Sequence, residues 1–241
     1  MTPDVQDATH AEPCSGERSE AVDGEGFATV TFDLSRKSMA PSAQSSDRRL
    51  TPRQQERLTR VLRATLEHVD ANGYGAFGMR DLASTGVATT TIYRFFGSRE
   101  FLVFKATSAW FDWVANNSLP PEGYGDFRRS SVYQFERMTA MWAAHPNLVD
   151  AVLRSAASDD PLIRHLQGPP RSALLDTKGW AGTSEFDPEY ADRLRSLIGI
   201  HAIGGMVQWV QGGQSLESLR EDFESLLSMV FDPPQYAAPT E

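Results

Sequence analysis

The stretch VATTTIYRFFGSREFL, Val87 to Leu102, gathers Thr89, Thr90, Thr91, Tyr93, Arg94 and Arg99 within a dozen residues. A Thr hydroxyl bonds a phosphate or a base edge, its methyl meets the thymine methyl, an Arg can grip guanine with two parallel bonds, and a Tyr suits a phosphate. At helical spacing Val87 and Ile92 fall on one side, and Thr89, Thr90, Tyr93 and Arg94 on the other. A helix seated in the major groove needs this division: apolar residues fix it to a body while polar ones reach the bases. Arg99 opens the next helix, whose first unpaired amides also favour phosphate.

Such a helix is useful only if its neighbours hold it. Thr51-Pro52-Arg53-Gln54 combines a Thr N-cap, Pro at the first helical position and Gln three residues on, a capping box. Val61, Leu62, Thr65, Leu66 and Val69 recur at helical period, and Asn72-Gly73 closes this first helix. Met79 to Ala83 form a short second helix ending near Gly86, Val87 to Phe95 a third, and Ser98 caps a long fourth that reaches about Asn117. Further helices are expected near Ser130–His145, Pro146–Ser158, Pro161–Leu166, Pro170–Lys178, Pro188–Gln211 and Leu216–Phe231. No segment of the body alternates like a strand, so the fold class is all-α, with about nine or ten helices.

The first four helices resemble the DNA-binding region of the tetracycline-repressor (TetR) family of bacterial regulators. The family pattern is a G-Y-x-A-x-x-x-R turn followed by G-V-x-x-x-T-[IL]-Y-[RH]-x-F-x-[SN]-[KR]-[ED]. Gly73, Tyr74, Ala76 and Arg80 match its first part; Gly86, Val87, Thr91, Ile92, Tyr93, Arg94, Phe96, Ser98, Arg99 and Glu100 match its second. The resemblance implies a three-helix helix-turn-helix domain at 47–97 and a helical ligand-binding and dimerisation domain at 98–232. It also implies that Thr89, Thr90, Tyr93 and Arg94 face DNA, while Thr91 and Arg99 hold its backbone. The expected function is a ligand-responsive transcriptional regulator, a repressor, that binds a palindromic double-stranded operator as a homodimer and leaves it when a hydrophobic small molecule binds. Two departures stand against this. One residue is missing between Leu82 and Val87, which rotates the residues downstream by roughly 100° unless the turn absorbs it, and Ala88 replaces the usual Ser, a weaker N-cap by about 1 kcal/mol. They support an alternative, a dimeric hydrophobic-ligand-binding protein of the same ancestry that no longer reads DNA.

Charge is distributed in keeping with the first reading. The whole chain carries −9, but residues 1–46 carry −5, residues 47–109 carry +4 and residues 110–241 carry −8. The one basic region coincides with the reading helix, where phosphate must be attracted. Residues 1–46 and 233–241 have the composition of a disordered acidic leader and a disordered tail. One island, Phe27 to Leu34, alternates like a strand and is expected to be unstructured along with the rest.

Other chemistries find little support. Cys14 is the only cysteine, so no disulfide framework or thiolate metal site can form. Gly73-Tyr74-Gly75-Ala76-Phe77-Gly78 satisfies the dinucleotide fingerprint only formally, because it comes after a helix with no βαβ unit around it. The five His residues show no metal-type pairing, and no G-x-S-x-G elbow occurs, so neither a cofactor nor an enzyme activity is expected. Without a membrane-length apolar run or a signal-peptide pattern, a cytoplasmic protein with no membrane partner is expected.

In the second half, Trp110, Trp113, Tyr133, Met138, Met141 and Trp142 form an aromatic and Met stripe over two helices. The family resemblance implies an apolar ligand cavity here, and such residues suit a bulky lipid, sterol or hydrophobic drug. Gly199, Gly204 and Gly205 interrupt an otherwise apolar helix, which suggests that another helix approaches closely. The family places the dimer interface on the last two helices, so Gly199, Ala202, Gly205, Trp209, Phe223 and Leu227 are its expected members.

Overall fold

The computed structural model describes residues 27–35, 39–40, 50–121, 124–167 and 187–231, and among these the fold is all-helical. In chain order the elements are α1 (Pro52–Asn72), a 3-10 helix (Met79–Thr85), α2 (Thr89–Phe96), α3 (Arg99–Asn117), α4 (Phe127–Ala144), α5 (Pro146–Ala156), α6 (Pro161–Gln167), α7 (Pro188–Val210) and α8 (Leu216–Phe231). The segment expected as a helix at Pro170–Lys178 lies outside the described residues, as does the tail beyond Phe231.

The caps read from the sequence form. Thr51 Oγ1 accepts from the Gln54 amide at 3.3 Å while Gln54 Oε1 accepts from the Thr51 amide at 2.9 Å, satisfying two donors that the first turn of α1 leaves unpaired. Ser98 caps α3 through the Phe101 amide at 2.9 Å, and Asp187 caps α7 through the amides of Glu189 and Tyr190. The apolar stripe of α1 (Leu58, Val61, Leu62, Leu66 and Val69) is buried and packs against the 3-10 helix, α3 and α5. Helix α3 is buried over most of its circumference, from Phe101 to Val114, and so forms the shaft between head and body.

The joint between head and body is polar. His145 Nδ1 lies 2.9 Å from Asp70 Oδ2, and Asn147 donates to the Asp70 carbonyl at 2.7 Å, tying the end of α1 to the start of α5. Ser98 Oγ donates to Asp160 just ahead of α6, so the cap of α3 is itself held from the body.

The leader departs from expectation. Residues 27–35 and 39–40, assigned to a disordered segment, pack on the body: Val30, Met39 and Ala40 are 2%, 4% and 1% exposed. Composition hides this because the acidic and small residues around the island dominate the average, whereas docking depends on a few apolar side chains meeting a groove. The remainder of 1–46 lies outside the described residues.

The last two helices also differ in detail. Gly199, Ala202, Gly205, Phe223 and Leu227, expected at a dimer interface, are buried within the protomer, and Trp209 is half-buried. The reason at Gly205 is steric. A Cβ there would lie 1.9 Å from Leu219 Cδ1, so the glycine admits α8 of the same chain. The opposite side of the pair carries Tyr190, Leu197 and Ile200 on α7 and Met229 on α8, 45%, 45%, 62% and 59% exposed.

Candidate nucleic-acid interface

Helix α2 is anchored by Ile92, Phe95 and Phe96, at 0%, 7% and 1% exposure, with Val87 half-buried before it. The sides of these residues leave Thr89, Thr90, Tyr93 and Arg94 exposed on one face, Tyr93 at 45%, while Thr91 is half-buried at its edge. The Arg94 guanidinium lies 4.8 Å over the Phe95 ring, a cation–π contact that holds its charged head against the helix.

The missing residue between Leu82 and Val87 does not turn this face inward, and the local winding explains why. The second helix is of 3-10 type. A 3-10 helix turns about 120° per residue where an α-helix turns about 100°, so the three residues after Leu82 regain about 60° of the rotation that the deletion removes. Gly86 then takes a left-handed step at φ 69°, open to glycine at no steric cost. Thr85 fixes the turn: its buried hydroxyl donates to the Leu82 carbonyl at 2.6 Å and accepts from the Val87 amide at 3.3 Å, while Arg60 donates to the Thr85 carbonyl at 3.3 Å. Ala88 makes no side-chain cap, as its sequence predicts.

Arg99 opens α3 behind the Ser98 cap, as read from the sequence. Its guanidinium is turned into the loop after α1, where Nε donates to the Phe77 carbonyl at 2.8 Å and Nη2 to the Tyr74 carbonyl. It stacks 4.3 Å over the Tyr74 ring and pairs with Glu100 at 3.2 Å, with 23% of the side chain exposed. Arg99 therefore clamps the start of α3 to the Gly73–Gly78 loop. The spacing placed Arg99 at a helix start but held no signal for the carbonyls that loop closure brings to it.

The residues expected to meet an effector fall in two groups. Trp110 and Trp142 are fully buried, Met138 and Met141 nearly so, and their rings interlock: Phe111 stacks on Trp142 at 5.7 Å, Phe135 meets Trp142 edge-on at 6.0 Å, and Phe135 stacks on Phe223 at 3.9 Å. This is core packing across α3, α4 and α8. Within it, Trp142 Nε1, Gln134 Oε1 and His201 Nε2 are buried without a hydrogen-bond partner among the described residues. Trp113 and Tyr133 are half-buried, and Tyr133 lines an open cleft of about 690 Å³ with Tyr124, Asp126, Arg128, Arg129, Val132, Glu136 and Glu224. That cleft is polar, and the sequence reading missed it because its charged residues are scattered over 100 positions.

No group of three or more His, Cys, Asp or Glu side chains among the described residues is placed to hold a metal ion, and no described helix is long and apolar enough to cross a membrane.

No protein-family model matches the chain. Over 103 residues it is 31% identical to the HTH-type transcriptional repressor KstR of Rhodococcus jostii (strain RHA1), a match covering 42% of this chain and 48% of that repressor, so the chain spans about half the length of this curated relative. Among solved structures, a TetR transcriptional regulator from Rhodococcus sp. RHA1 superposes with a TM-score of 0.62 at 20% identity, covering 76% of this chain and 99% of that one.

Proposed function

We propose that this chain, which has the fold of a TetR transcriptional regulator and is similar over 103 residues to an HTH-type transcriptional repressor, is itself a transcriptional repressor, as the resemblance read from its motifs implied. It binds a palindromic operator as a homodimer and is released by a hydrophobic small-molecule effector. The observation that carries the reading is the sidedness of α2: Ile92, Phe95 and Phe96 hold it down while Thr89, Thr90, Tyr93 and Arg94 stand on its outer face, despite the shortened turn before it. Two copies of such a head, related by a twofold axis, read an inverted repeat in successive major grooves.

Arg94→Ala tests it. The variant is expected to lose about 1–3 kcal/mol of operator affinity and to relax preference at one base pair, measured by titrating a panel of single-base operator variants. Unchanged affinity and preference would put another face of α2 against the DNA.

The homodimer forms, in this reading, through the outer face of α7 and α8, where Tyr190, Leu197, Ile200 and Met229 make an apolar stripe with Gly204 open between them. Ile200→Asp places a charge in that face and is expected to shift the chain to monomer in analytical ultracentrifugation, with operator binding lost in step. A variant that stays dimeric would move the interface elsewhere.

Support for a hydrophobic effector comes from the aromatic and Met interior of α3 and α4. The buried, unpartnered Gln134 Oε1 favours a guest with a hydrogen-bonding group on its apolar body.

A further inference from the structure

We propose that the N-terminal strap, residues 27–35 and 39–40, is a positioning element for DNA reading, joining the C-terminal end of the reading helix to the body and thereby setting the operator affinity of a head to which it does not belong. The proposal rests on the regulator reading above and assigns a part in it to a segment that the helix-turn-helix pattern leaves out.

The last four carbonyls of any α-helix lack partners within it. In α2 one of these, the Phe95 carbonyl, accepts from the Ala40 amide at 3.0 Å. Ala40 is 1% exposed and sits beside Gly97, where the chain turns from α2 into α3, and Met39 before it is 4% exposed. The strap thus caps the reading helix at the end nearest the body.

Its other end is fixed to different elements. Arg63 of α1 donates to the Ala28 carbonyl at 2.6 Å, and the Phe27 ring packs 5.6 Å from His145, the residue that ties α5 to Asp70 of α1. Between these ends Val30 is buried and Asp33 acts on Lys105 of α3. Burial lowers the Lys105 pKa, and the negative charges of Asp33 and Asp112 oppose that shift, so the strap's carboxylate favours the charged ammonium beneath it. One short segment therefore touches α1, the end of α2, α3 and the start of α5. A segment that only covered apolar core would have no need to bond the terminal carbonyl of the reading helix. A tilt of that helix by an ångström is enough to spoil base contacts whose geometry is bidentate.

Two variants of the full chain test this on the duplex retained by genomic-fragment selection. Val30→Asp buries an unpaired carboxylate and should release the strap; Ala40→Pro removes the amide that bonds Phe95 and places a ring at that buried position. Thr29→Asp, on an exposed strap position, is the control. Both strap variants should weaken operator binding on the order of tenfold and flatten preference across single-base operator variants, while retaining a cooperative melt and the dimer. Flattened preference marks misplacement of the helix, which a general loss of stability does not produce. Wild-type affinity and preference in Ala40→Pro would overturn the proposal, whatever becomes of the Val30 variant. If the unaltered protein selects no duplex, the regulator reading fails, and hydrogen exchange still decides the strap: Ala40→Pro should speed exchange at the reading-helix amides, and unchanged exchange would refute it.

Discussion

Trp142→Ala is expected to cost about 3–5 kcal/mol of folding stability, the range for truncating a fully buried large aromatic. Trp142 is 0% exposed, stacked on Phe111 and edge-on to Phe135, which in turn stacks on Phe223, so its removal opens a hole where α3, α4 and α8 meet. The surrounding rings come from three helices and cannot all collapse into the space. Urea unfolding monitored by far-UV circular dichroism measures the loss. Operator and effector binding should then fall together as the folded fraction falls. A loss under about 1 kcal/mol, with effector binding alone weakened, would instead make Trp142 the wall of a guest cavity already present in the fold. Trp142→Phe, which keeps a ring but removes the unpartnered indole donor, separates the two cases without a large cavity.

Arg99→Ala is expected to cost on the order of 3 kcal/mol, since hydrogen bonds from charged donors are worth about 1.5–3 kcal/mol each before allowance for the exposed quarter of the side chain. The variant leaves the Tyr74 and Phe77 carbonyls without their donor and frees the loop that fixes the start of α3. The head should therefore unfold locally before the body does, with amides of the Gly73–Gly78 loop exchanging faster than those of α7. Operator affinity should fall equally for all sequences, but the salt dependence should keep its slope, because no phosphate contact is lost. A slope reduced by about one would make Arg99 a phosphate ligand after all, as its place at a helix start suggested from sequence.

Those two outcomes mark where the sequence was readable. Local signals were reliable. The capping box Thr51–Gln54, the Ser98 and Asp187 caps and the 3.6-residue period of α1 each depend on residues within a turn of one another, so helix limits such as Arg99–Asn117 and Leu216–Phe231 were legible, as was the outward face of α2. Non-local meetings were not. Nothing near Gly205 in sequence says that Leu219 of the same chain fills the space beside it, so the glycines were assigned to a second subunit. Nothing near Arg99 names the carbonyls 22 and 25 residues upstream that capture it. The strap was lost in an acidic average, although Phe27 to Leu34 held an alternating pattern that pointed to one buried side. The missing residue before Val87 was visible, but its consequence depended on whether the second helix wound as α or 3-10, a choice that propensities do not make.

The central claim is that α2 of this chain reads duplex DNA. Selection from sheared genomic DNA, with gel shift of the retained fragment over 50–200 mM salt, tests it most directly. The account predicts a retained fragment with an inverted repeat whose half-sites lie about one helical turn apart, bound by a dimer with an affinity that falls steeply as salt rises. No fragment retained at the lowest salt, by a protein that is folded and dimeric, would contradict it.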